Sequence, residues 1–86
     1  MGVLLDNVIP KNHSRTFDTN ATDQKDLIKI KQAILRIKGV DTVELKTSGF
    51  PVRITVTASK MVEIVKVEEA VNDLGFNIIP KQFLSF

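Results

Sequence analysis

The chain has 86 residues, 12 basic and 10 acidic side chains, a net charge of +2 and 43% hydrophobic residues. That describes one soluble domain with a single modest core, burying roughly 60–65% of its unfolded surface. The charge balance is too even to argue for nucleic acid or an anionic membrane. The absence of cysteine excludes a disulfide framework, a thiolate nucleophile and a thiolate metal ligand.

No apolar run approaches the ~20 residues that span a bilayer. The opening MGVLLDNVIPKNH does not read as a secretory signal, because its apolar part is short and Asp6 interrupts it. The expectation is a cytoplasmic protein without membrane insertion, in which the sequon Asn20-Ala21-Thr22 is accidental.

From Arg15 the pattern predicts strand, helix, strand, strand, helix, strand. RTFDTNA alternates weakly, with Phe17, Thr19 and Ala21 on one side. The period then changes: Leu27, Ile30, Ile34 and Ile37 recur at helical spacing, and Ile28 and Leu35 broaden the face. This predicts a well-covered helix over 22–38, closed by Lys38 and Gly39.

VDTVELK places Val43 and Leu45 inward, and VRITVTA places Val52, Ile54 and Val56 inward. TSGFP joins them as an antiparallel hairpin with one oily and one polar face. A second helix is expected from Ser59 or Lys60, with Ser59 as its N-cap and Ile64, Val67, Val71 and Leu74 inward. Gly75 ends it, and FNIIPK supplies a last strand in which Pro80 marks an edge. The fold class implied is α+β: a ferredoxin-like βαββαβ sandwich, with a four-stranded antiparallel sheet and two helices on one face.

AILRIKGVDTVEL, VRITVTA and VEEAVNDLGFNI together resemble the heavy-metal-associated domain family, which includes copper chaperones and N-terminal modules of metal-transporting P-type ATPases. The resemblance spans about residues 15–80. The family signature is a Met-x-Cys-x-x-Cys turn between the first strand and first helix. Counting back from Gly39-Val40 sets Ala21 at the methionine and Asp23 and Asp26 at the two cysteines, so ATDQKD stands where the metal loop would be.

Cu(I) requires soft thiolate or thioether donors, and carboxylates are hard ligands. Met1, Met61 and the single histidine, His13, do not rebuild such a site. Three readings of the aspartates stay open. They cap the helix and complement its dipole. They form a weak divalent-metal site with ligands from a partner or second chain. Or they make a polar docking spot. No resident cofactor is expected.

Other chemistries on this fold find no footing. An RNA-recognition sheet stacks bases on aromatics of its central strands, and VRITVTA has none. Phosphate loops are absent, and one histidine assembles no Ser/His/Asp set. The five phenylalanines read as core and tail. A non-enzymatic protein is predicted, with a small-molecule regulatory domain of the same shape as an alternative.

The first helix carries Lys25, Lys29, Lys31, Arg36 and Lys38 against Asp23 and Asp26, whereas the second is acidic. Lys25, Lys29, Lys31 and Arg36 are the candidate docking residues for an acidic protein partner. Residues 1–13 read as an N-terminal extension with an added strand, and 14–86 as the domain. Val3, Leu4, Leu5, Val8 and Ile9 at one end, and Phe83, Leu84 and Phe86 at the other, are apolar enough to suggest a cover or a weak homodimer.

Overall fold

The computed structural model describes residues 7–80. Val3, Leu4, Leu5, Phe83, Leu84, Phe86 and Met1 lie outside the described residues. The elements, in chain order, are β1 (Val8–Ile9), β2 (Ser14–Thr19), α1 (Gln24–Leu35), β3 (Val40–Lys46), β4 (Val52–Ala58), β5 (Val62–Glu63), α2 (Ile64–Asn72) and β6 (Ile78–Pro80).

Period-two alternation sets the sheet. Its order is β3-β4-β2-β6 and every neighbouring pair is antiparallel. Phe17 lies opposite Ile54, and Val43 opposite Val56, so apolar side chains of three strands share one face. That face is buried beneath Leu27, Ile30 and Ile34 of α1 and Ile64, Val67 and Val71 of α2. The other face is polar: Ser14 and Thr57 share a hydrogen bond of 2.8 Å, Thr16 and Thr55 one of 3.1 Å, and Arg53 Nε lies 3.8 Å from Asp18. The ferredoxin-like sandwich expected from the pattern is the fold observed, with a small β1-β5 sheet beside it.

Five local expectations are corrected. The first helix spans Gln24–Leu35, not 22–38: the Arg36 N–H already bonds the Gln32 and Ala33 carbonyls in a tightening last turn. Ile28 and Leu35, expected to be covered, are 45% and 40% exposed. The second helix begins at Ile64, because Val62–Glu63 is held extended by pairing with Val8–Ile9. Ser59 therefore caps no helix; its N–H and hydroxyl both donate to the Gly39 carbonyl, at 2.8 and 3.3 Å. Leu74, expected inward, lies past the end of α2 and is exposed.

Gly39 joins α1 to β3 at φ +99°, a conformation that suits glycine. A Cβ added there would meet Val62 Cγ2 at 3.0 Å and the Lys60 carbonyl at 3.2 Å. Gly75, at φ +91°, faces open space. Urea denaturation should therefore rank the two sites. Gly75→Ala loses about 1–2 kcal/mol from backbone strain alone, and Gly39→Ala loses about 1–3 kcal/mol more from overpacking.

Candidate functional site

β2 runs towards the segment 20–23, and its last residue, Thr19, pairs with Val52 on one side and Ile78 on the other. Three connections therefore gather at one end of the sheet: 20–23, the β3–β4 hairpin tip 47–51, and 73–77. Two are tied together. The buried Thr19 hydroxyl donates to the Asn77 carbonyl at 2.8 Å and accepts from the Ala21 N–H at 3.4 Å. Asn20 Oδ1 accepts the Asn77 N–H at 2.9 Å. Ala21 is buried, so the loop is pinned by a methyl group below and by hydrogen bonds at the side.

Asp23 is the N-cap of α1, with extended backbone (φ −76°, ψ 134°). Its Oδ1 accepts the Lys25 N–H at 3.0 Å, satisfying a donor that a helix start leaves without a carbonyl. Asp26 lies one turn on, half-buried, in the first turn of the helix where negative charge complements the dipole.

The two aspartates thus stand at the cap and in the first turn of one helix. Among the described residues, no group of three or more His, Cys, Asp or Glu comes together in a way that could hold a metal ion. His13 precedes β2 at the opposite end of that strand, roughly 20 Å away by strand rise. Met61 lies beside Gly39, next to the far end of α1. These donors do not form a soft-metal centre, and two carboxylates alone are few for a hard cation.

The four candidate cations divide. Lys25 and Lys29 on the outward stripe of α1, and Arg36 at its C-cap, recur at helical spacing and are exposed. Lys31 sits on the flank nearest β3, half-buried, lining a groove with Val43, Glu44, Leu45, Lys46 and Thr55.

One residue at this end was misread from composition. Phe50 belongs to neither core nor tail: at 74% exposure it projects at the hairpin tip, lining a shallow pocket with Lys46, Ser48, Gly49, Pro51 and Arg53. Lys46 and Arg53 are direct cross-strand partners, so the exposed ring stands beside two cations. Its place in the turn TSGFP, between two alternating runs, was the available signal.

If the cap is what Asp23 contributes, stability will report it. Asp23→Ala should lower the unfolding free energy by about 1 kcal/mol, with Asp23→Ser retaining most of it. Asp26→Ala should lose only about 0.3–1 kcal/mol, diminishing with added salt. Chemical denaturation at low and high ionic strength measures both.

No family model matches the chain, and no curated protein does. Solved structures do. One is a CopZ metallochaperone, 16% identical, with a TM-score of 0.66 over 77% of this chain and 98% of that one. Another is oxidized MerP from Ralstonia metallidurans CH34, 23% identical, TM-score 0.70, over 81% and 97%. A third is the N-terminal domain of a potential copper-translocating P-type ATPase from Bacillus subtilis, solved in its Cu(I)-loaded state, 21% identical, TM-score 0.64, over 83% and 91%. The chain has the ferredoxin-like fold of heavy-metal-associated domains.

Proposed function

We propose that this chain is a non-catalytic binding module of the heavy-metal-associated type, acting through protein contacts instead of carrying Cu(I). The observation that carries the reading is the use of Asp23. At the position that the resemblance gives to the first thiolate stands a carboxylate whose oxygen caps the helix. Asp26, at the second position, is also an oxygen donor, and oxygen does not hold a soft monovalent ion.

What remains at this end is a surface for recognition. Lys25, Lys29 and Arg36 form a positive stripe descending from the loop, and Phe50 stands beside Lys46 and Arg53. An aromatic anchor ringed by cations suits an acidic protein partner, with the charges steering encounter and the ring supplying buried area.

Native mass spectrometry after exposure to Cu(I), Zn(II) and Ni(II) tests the reading. The natural sequence should retain none of them stoichiometrically. Retention abolished by Asp23→Asn with Asp26→Asn would instead establish a carboxylate site and overturn the proposal. The engineered pair Asp23→Cys, Asp26→Cys should retain one Cu(I) while keeping the native circular dichroism spectrum. A folded double variant that ignores Cu(I) would show that the loop has been matched wrongly to the family signature.

A further inference from the structure

The edge of the sheet formed by β3 carries an inference independent of the loop. Among the described residues β3 pairs on one side only, with β4. Its outer edge presents a row of backbone N–H and C=O groups, the kind of edge that accepts another strand. VDTVELK contains no proline, and the one irregularity in register falls between Val40 and Thr42. From Val43 to Lys46 the ladder is regular.

An apolar ledge lies beside this edge. Ile28, Lys31 and Leu35, at i, i+3 and i+7, share one row of α1. Lys31 lines the groove along Val43–Lys46, which places the row on the β3 side. Its apolar members are the two helix residues whose exposure contradicted the sequence pattern.

The charges along the edge indicate what covers it. In an antiparallel pair, residues directly opposite share a face, so β3 can meet its own copy in only a few registers. Centred on Glu44, the pairing sets glutamate against glutamate. Centred on Val43, it sets Asp41 against Leu45. Centred on Leu45, it places Glu44 opposite Lys46 of the second copy and Lys46 opposite Glu44 of the second copy, with leucine against leucine between them. Lys46 already stands beside Arg53 on β4, and that crowding of positive charge favours an incoming carboxylate.

We infer that β3 is a self-recognition edge: two copies of this chain join antiparallel about Leu45, across a two-fold axis normal to the sheet. The interface is isologous, and the symmetry keeps the helices of both copies on the same side of one continuous sheet. Both apolar ledges then lie on that side of the seam.

Sedimentation equilibrium of the full 86-residue chain, from micromolar to near-millimolar concentration, tests this. The expected result is a monomer–dimer equilibrium. Glu44→Lys or Lys46→Glu alone sets like charges opposite each other twice and should weaken the dimer about tenfold or more. The double exchange, Glu44→Lys with Lys46→Glu, reverses every pair and should restore it. All three positions of this register are exposed or half-exposed, and circular dichroism will confirm that the variants fold. Because the chain has no cysteine, Leu45→Cys provides a separate readout of register. It should form a disulfide-linked dimer with diamide, whereas Lys60→Cys should not. A monomer at every concentration, a dimer indifferent to the single exchanges, a double exchange that fails to restore it, or equal crosslinking at both cysteines would each overturn the inference.

Discussion

One buried contact organises the molecule: the apolar face of the sheet against two helical stripes. Phe17, Ile54 and Val56 on the sheet are fully excluded from water, and so are Ile30, Ile34, Val67 and Val71 on the helices. Each such side chain contributes about 1.5–3 kcal/mol relative to exposure. Shifting any strand by one residue would turn its apolar set outward, so the same burial that stabilises the fold also sets the register. Once register is set, the ends of β2, β4 and β6 coincide, and three loops have no choice but to gather there.

That gathering explains why the loop after β2 is well defined despite its polar composition. Thr19 closes the apolar face and spends its hydroxyl on Asn77 and Ala21, while Asn20 takes the Asn77 N–H. A buried hydroxyl without partners would be costly, so these bonds hold two loops in one arrangement. The helix that follows begins with a carboxylate cap. One oxygen of that carboxylate is consumed in holding the helix. Loop position depends on the core, whereas the donor atoms at the loop depend only on the side chains hung from it.

The outer surface follows a different rule. Side chains not recruited to the core are free to carry charge, and α1 carries an exposed stripe of cations, whereas α2 is acidic. At the edge of the sheet the two tendencies meet. Among the described residues β3 pairs on one side only, α1 turns one flank towards it, and Lys31, Glu44, Leu45 and Lys46 line the groove between them. An edge strand with alternating opposite charges is complementary to itself read backwards, which is a property of its sequence but becomes relevant only because the strand is at an edge.

Much of the architecture was legible from periodicity. Phe17, Val43, Ile54 and Val56 announced their strands, and Leu27, Ile30 and Ile34 announced α1, because spacing of 2 and 3.6 residues maps directly onto one face. Gly39 and Gly75 marked the turns that follow the two helices, where the backbone takes positive φ. The start of α2 was not legible. Ser59 is a good cap by type, yet Val62–Glu63 is drawn into a ladder with Val8–Ile9, fifty-odd residues away, and the helix waits until Ile64. Nor could spacing alone tell that Ile28 and Leu35 would be exposed, since that depends on α1 lying towards a strand that, among the described residues, pairs on one side only.

For the candidate site, the chain by itself determined the chemistry available: no sulfur donor from cysteine, two carboxylates at a helix start, and a run of cations behind them. Only the tertiary structure decided which groups are neighbours. It engaged Asp23 as a cap, parted Lys31 from the other three cations, and brought Phe50 to the end of the molecule that bears the loop. The reason is physical. Donor type and helical phase are properties of a residue and its nearest neighbours in sequence, whereas proximity across the sheet is set by how distant segments bury a common face.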